Sequence, residues 1–260
     1  MGHKRLGVLP KSKKWRDIVR AIEACTSGKV PVEEVAKNTL SNVRNLYNEL
    51  EKDPSVKASL SFLVEFSYAF KTQNPGKYLV ENGILPTDNL SPMSLAVAIN
   101  YYKQESFHSK EYQSIAKQAT IDALNHWYHS NIDHGKNFFS AEIKPENVFA
   151  KAASGGGFSE ISRLFFAKFT ERYLKYFLER EAAPRIKDIN LINNFTEAIE
   201  TFTDEVSKHA YQTSKITQSY AAGWYNKHSK ENKPSGKDIN KLIRNTFKKM
   251  RSEILFEELK

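Results

Sequence analysis

Cysteine occurs once in 260 residues, at Cys25. A single thiol excludes an internal disulfide and any zinc site built on paired cysteines, and the chain accordingly reads as one made for a reducing cytoplasm. Cys25 itself falls near the end of an amphipathic segment, where it reads as a small core residue. Long apolar runs are missing as well. The longest is the five residues Leu95–Ile99, far short of the roughly 20 that cross a bilayer, so no membrane partner is expected. The amino terminus is charged without an apolar stretch behind it, unlike a secretion signal. No alternating segments joined by hairpin turns occur, and no repeat of fixed period. Gly-x-Ser-x-Gly is absent, and no Gly-Lys-Ser/Thr follows the one glycine-rich loop, so neither a serine-hydrolase elbow nor a nucleotide cofactor is implied.

What remains is helical periodicity almost throughout, and the predicted class is all-α: a multi-helix bundle around one buried helix. That helix spans about 158–182, within Gly155–Ala182. Phe158, Ile161, Phe165, Phe169, Arg172 and Tyr176 step by three or four, and Leu164, Phe166, Tyr173, Leu174, Phe177 and Leu178 widen the stripe over most of the circumference. A helix so apolar is one covered on several sides. Gly155, Gly156 and Gly157 read as a flexible joint ahead of it, Ser159 as its N-cap and Pro184 as its stop. Glu171, Lys175 and Glu179, alternating in sign at i, i+4, read as a narrow solvent line.

In chain order, residues 1–11 read as a basic arm, 12–153 as an N-terminal helical part and 154–260 as a C-terminal helical part, which together can form one continuous domain. Ser12, Asp53-Pro54, Ser91-Pro92 and Ser109 mark helix starts. Ala36, Leu40, Val43, Tyr47 and Leu50 form a heptad-like seam. The apolar steps from Ile192 to Trp224 fit one long helix, or two broken near Thr213.

The net charge of +9 is unevenly spread. Residues 1–20 hold seven Lys and Arg (Lys4, Arg5, Lys11, Lys13, Lys14, Arg16 and Arg20) against Asp17, a net of +6. Residues 227–251 hold nine against Glu231 and Asp238, a net of +7, which leaves the rest of the chain at −4. On the last predicted helix Lys237, Lys241, Arg244, Lys248 and Arg251 step four, three, four, three. They form a stripe about 120° round from Ile239, Ile243, Phe247, Met250 and Ile254, taking roughly 100° per residue. Such a helix docks on its own protein with one side and offers the other to a polyanion. With no base-reading motif, the contact would be to nucleic-acid backbone, DNA favoured over RNA.

Two patterns admit metal chemistry. Asp122, His126, His129 and Asp133, spaced four, three, four, share one helix face and are ligand types for a divalent metal, given a further ligand from another helix. Asp133 with Glu142-Ile143-Lys144 has the Asp…Glu-x-Lys order of metal-dependent nucleases, whose central sheet this chain does not offer. A metal-dependent nuclease or hydrolase is therefore the alternative to a non-enzymatic reading.

Two segments, GVLPKSKKW (Gly7–Trp15) and GGGFSEISRLFFAKFTERYLKYFLERE (Gly155–Glu181), resemble small helical accessory subunits encoded beside an SMC-type ATPase and a nuclease in bacterial anti-phage systems of the Lamassu kind. The resemblance assigns no functional residues. It implies context: a non-catalytic, cytoplasmic subunit that binds a larger ATPase or nuclease partner in antiviral defence.

Overall fold

The computed structural model describes residues 13–26, 28–42, 48–102, 109–132, 144–182, 188–211 and 220–255. Among them every regular element is a helix, so the chain is all-α as its periodicity predicts. The helices are α1 (Lys13–Thr26), α2 (Val32–Asn42), α3 (Pro54–Ala69), α4 (Pro75–Glu81), α5 (Pro92–Tyr101), α6 (Lys110–Asn131), α7 (Pro145–Phe149), α8 (Gly155–Ala182), α9 (Ile189–Tyr211), α10 (Tyr220–His228) and α11 (Gly236–Leu255). Short 3-10 turns at Leu50–Lys52 and Ala150–Ala153 lead into α3 and α8.

The predicted starts hold at three polar caps, two of them followed by proline. Asp53 accepts from the Ser55 amide at 2.8 Å with Pro54 next. Ser91 and Ser94 close a reciprocal capping box around Pro92 at 3.0 and 2.9 Å. Ser109 accepts from the Tyr112 amide at 3.3 Å. Each cap satisfies an amide that the first turn leaves without an intrahelical partner. Of the heptad-like seam, Ala36, Leu40 and Leu50 are buried, while Val43 and Tyr47 lie outside the described residues. The Ile192–Trp224 steps resolve into α9 and α10, with residues 212–219 outside the described set.

Helix α8 is the axis. It packs on α6, α9 and α10, and also on α1, α2 and α3. Phe158, Phe165, Phe166, Phe169, Tyr173 and Phe177 are fully enclosed, each contributing roughly 2–3 kcal/mol of apolar burial. Phe158 stacks on Tyr225 of α10 at 4.4 Å, and Phe166 meets Phe247 of α11 edge-on at 5.4 Å. One cluster of buried side chains runs from Ile18 to Leu255, with α3 (Leu60, Phe62, Leu63, Phe66) packed on α6, α8 and α11.

Three expectations about α8 are corrected. The glycines lie inside its first turn, and the cap is Ser154, whose Oγ accepts from the Gly157 amide at 2.9 Å, in place of Ser159, which is buried. They are there for clearance. A Cβ on Gly157 would stand 2.2 Å from the Lys151 carbonyl oxygen, and one on Gly155 would stand 2.5 Å from the Asn226 side chain. A joint here would be a loose one; this is a tight crossing, and that tightness requires glycine. The supposed solvent line is largely interior. Glu171 is buried, and both Lys168 and Lys175 donate to it while Lys168 also pairs with Glu200 of α9. Glu179 and Pro184 lie outside the described side chains.

Candidate nucleic-acid interface

Helix α11 begins at a local device. Ser235 Oγ accepts from the Asp238 amide at 3.3 Å and donates to Asp238 Oδ2 at 2.5 Å, joining cap and first turn reciprocally. That hydrogen bond holds the Asp238 carboxyl below the usual carboxylate range, with His228 and Lys241 adding to it. The turn before the helix is tied to α3 and its flank. Lys233 Nζ lies 2.7 Å from Glu65 Oε1, whose other oxygen accepts from the Tyr78 hydroxyl at 2.9 Å. Lys71 Nζ donates to the Ser229 hydroxyl and carbonyl oxygens at 2.7 and 3.1 Å and lies 4.7 Å from the Tyr225 ring centre. Its ammonium is thereby partly withdrawn from water, which pushes its pKa down.

Further along, Ile239, Leu242, Ile243, Phe247, Met250 and Ile254 are buried, which anchors one side of α11 in the core. On the other side Lys237, Lys241, Arg244 and Lys248 are exposed, as the spacing predicts. Arg244 is 70% exposed at its side chain, and its Nε is 3.9 Å from Glu51, a separation worth little at a wet surface. Arg251 is the departure. It is half-buried, its Nη1 donates to Asn48, and its Nε is enclosed without a hydrogen-bond partner among the described residues. Its place at the stripe edge nearest Phe247 turns it inward, so it does not belong to the outward row.

The fold adds a cation that the sequence did not indicate. Lys57 of α3 is exposed beside the first residue of α11: a Cβ on Gly236 would lie 4.0 Å from Lys57 Cε. No linear pattern could reveal this, because 179 residues separate the two. Lys227 and Lys230 are also exposed at the end of α10, whereas Lys249 is placed over the Tyr220 ring at 4.7 Å. In the amino-terminal set, Lys4, Arg5 and Lys11 lie outside the described residues, as do the side chains of Lys13, Lys14 and Arg16 at the start of α1.

The two metal patterns fare differently. Asp122 Oδ2 accepts from both Nε, at 2.9 Å, and Nη2 of Arg172 on α8, so the carboxylate is ion-paired through that oxygen. His126 and His129 are exposed, and His129 meets the edge of Tyr128 at 5.5 Å. Among the described residues no group of three or more ligand-type side chains converges to hold a metal. Asp133 and Glu142 lie outside the described residues, and Lys144 is exposed just before α7. Asp122 thus ties α6 to α8, and a second charged seam joins α8 to α9, where Arg163 pairs with Asp204 at 2.6 Å and Lys168 pairs with Glu200. Accepting from Lys168 lowers the Glu200 pKa; burial would raise that of Asp204, but Lys208 and Arg163 outweigh it and the net direction is down.

One further surface stands apart. Met93 (73% exposed), Val97 (43%) and Tyr101 (74%) recur at i, i+4 and i+8 on α5, a helix that packs on α6 with its other side. No helix among the described residues is long and apolar enough to cross a membrane. Comparison with protein-family models, characterised proteins and solved structures finds no match to this chain.

Proposed function

We propose that the protein is a non-enzymatic helical subunit that holds nucleic-acid backbone on α11 while docking on a larger protein partner. The observation that carries this reading is the two-sidedness of α11: four exposed cations on a helix whose opposite side is locked into the core. Fixed cations in a row neutralise successive phosphates and release condensed counterions, which is the source of sequence-independent affinity. Exposed Asn240 and Asn245 flank the row, but with no base-reading motif in the sequence the contact is taken as positional.

Docking on protein is supported by the apolar row on α5, because contiguous exposed apolar side chains mark interaction surfaces. The resemblance to Lamassu-type accessory subunits supplies the proposed context, a bacterial defence assembly with an SMC-like ATPase and a nuclease in the cytoplasm. Reversing Lys237, Lys241, Arg244 and Lys248 to Glu is the test. Affinity for nucleic acid should fall at least about a hundredfold and the salt slope should flatten. Unchanged affinity in a variant that still folds would remove α11 from the interface. Proteins retained by the wild-type chain but not by a Met93→Asp, Tyr101→Asp variant would identify the α5 partner.

A further inference from the structure

We infer that the nucleic acid held by α11 is a duplex, gripped across a groove by phosphates of both strands. This rests on the backbone-binding reading above and narrows it.

The cations stand on a helix whose underside residues Ile239, Ile243, Phe247 and Met250 are each no more than 5% exposed, so the positions from which they reach are fixed. A stiff polyanion meets such a row with little ordering of its own. A single strand would have to be straightened and held, at a conformational cost that binders of single strands offset by stacking bases on aromatic side chains.

The aromatics near the row are occupied within the protein. Phe247, the aromatic of the described α11, is 3% exposed and packed against Phe166 and Phe169. Tyr220 lies beneath Lys249 and is hydrogen-bonded to Thr246. Trp224 is stacked between Phe158 and His228 at 5.7 and 5.4 Å. Each of these rings is already engaged within the protein, and the described exposed side of α11 offers its cations and two amides, Asn240 and Asn245.

Lys237 and Lys248 are about 16 Å apart along the axis at roughly 1.5 Å per residue, and Lys57 stands beside the amino end of α11. The major groove of B-form DNA opens about 12 Å. The two ends of the row therefore reach phosphates on opposite sides of a groove, which a lone strand lacks.

The test measures anisotropy with a labelled short DNA duplex, the RNA duplex of the same sequence and the separated strands of each, from about 50 to 200 mM salt. Duplex, of whichever sugar, should bind at least about tenfold tighter than its own strands. The DNA-duplex slope of log affinity on log salt should lie near −4 for four to five contacts at about −0.9 each. Lys57→Gln should weaken duplex binding and reduce that slope by about one. Single strands bound as tightly as duplex would overturn this inference while leaving backbone binding in place. No binding to any of the probes, or binding unmoved by the four-residue charge reversal, would overturn the reading beneath it and point to an acidic protein as the ligand of α11. If the reversed variant melts below wild type, the Lys237→Gln, Lys248→Gln pair decides the same outcomes without reversing charge.

Discussion

Replacing each of the three glycines at the start of α8 by alanine gives three different answers from one chemical change. At an ordinary exposed helical position Gly→Ala stabilises by up to about 1 kcal/mol, because alanine has less backbone freedom to lose. Gly156 is such a position: its Cβ would meet only Ser154 Oγ, at 3.8 Å. At Gly157 the new atom would stand 2.2 Å from the Lys151 carbonyl oxygen, 2.9 Å from the Lys151 carbonyl carbon and 3.0 Å from Ala152 Cα. These are backbone atoms, so no rotamer change relieves the overlap. The Ala150–Ala153 turn must shift, and it carries the buried Ala152 just after buried Phe149. Overpacking of that kind costs about 1–3 kcal/mol. At Gly155 the obstacle is the exposed Asn226 side chain, 2.5 Å away, which can swing aside, so that variant should fall between the other two. Thermal unfolding by circular dichroism should separate Gly156→Ala from Gly157→Ala by roughly 5–10 °C, with wild type between them. Equal melting temperatures, or a Gly157→Ala variant above wild type, would refute the tight crossing and restore the flexible joint.

Glu171→Gln leaves the half-buried Lys175 ammonium without this carboxylate and Lys168 with Glu200 alone, and should cost about 3 kcal/mol in urea unfolding, because an uncompensated buried charge is worse than none. Acid should loosen α9 from α8. Glu200 and Asp204 have folded pKa values below those of the unfolded chain, so their contribution is complete above about pH 4–5 and is lost as pH falls through the folded values. Tryptophan fluorescence and circular dichroism between about pH 6 and 2 should report that loss, and a Glu200→Gln, Asp204→Asn variant should show a flatter acid limb. Asp122→Ala should release Arg172, lower stability by up to about 1 kcal/mol at this partly exposed pair, and leave the metal content of the purified protein unchanged. A stoichiometric metal lost with Asp122 would reinstate the hydrolase alternative.

How far the sequence could be read depended on how local each interaction is. Helix starts at Asp53, Ser91 and Ser109 were legible because the cap and its amide are two or three residues apart. The enclosure of α8 and the two-sided build of α11 were legible because periodicity is itself local. Arg172 could not be paired with Asp122, because the two are 50 residues apart in sequence and meet only through the packing of α6 on α8. Glu171, Lys175 and Glu179 alternate identically whether a helix faces water or a neighbour, so the buried carboxylate looked like a solvated one. Glycine before a helix reads as freedom; that it is clearance here depends on Lys151 and Asn226, whose approach no spacing encodes. Arg251 sat at the edge of its stripe, and an edge residue goes wherever a partner lies, in this case Asn48.

The way α3 is buried bears on how the chain can be divided. Helix α3 packs on α8 and α11, from the other side of the 153/154 join, and Phe166 and Phe169 are covered in turn by α11, which itself leans on α2 and α3. Neither portion is a self-sufficient module: each supplies the wall that keeps the other's aromatic interior dry. A gene split at that join would yield two sticky polypeptides when made singly and one rebuilt particle when made together. The cationic row would return only with the rebuilt particle, because its helix takes its bearing from both pieces.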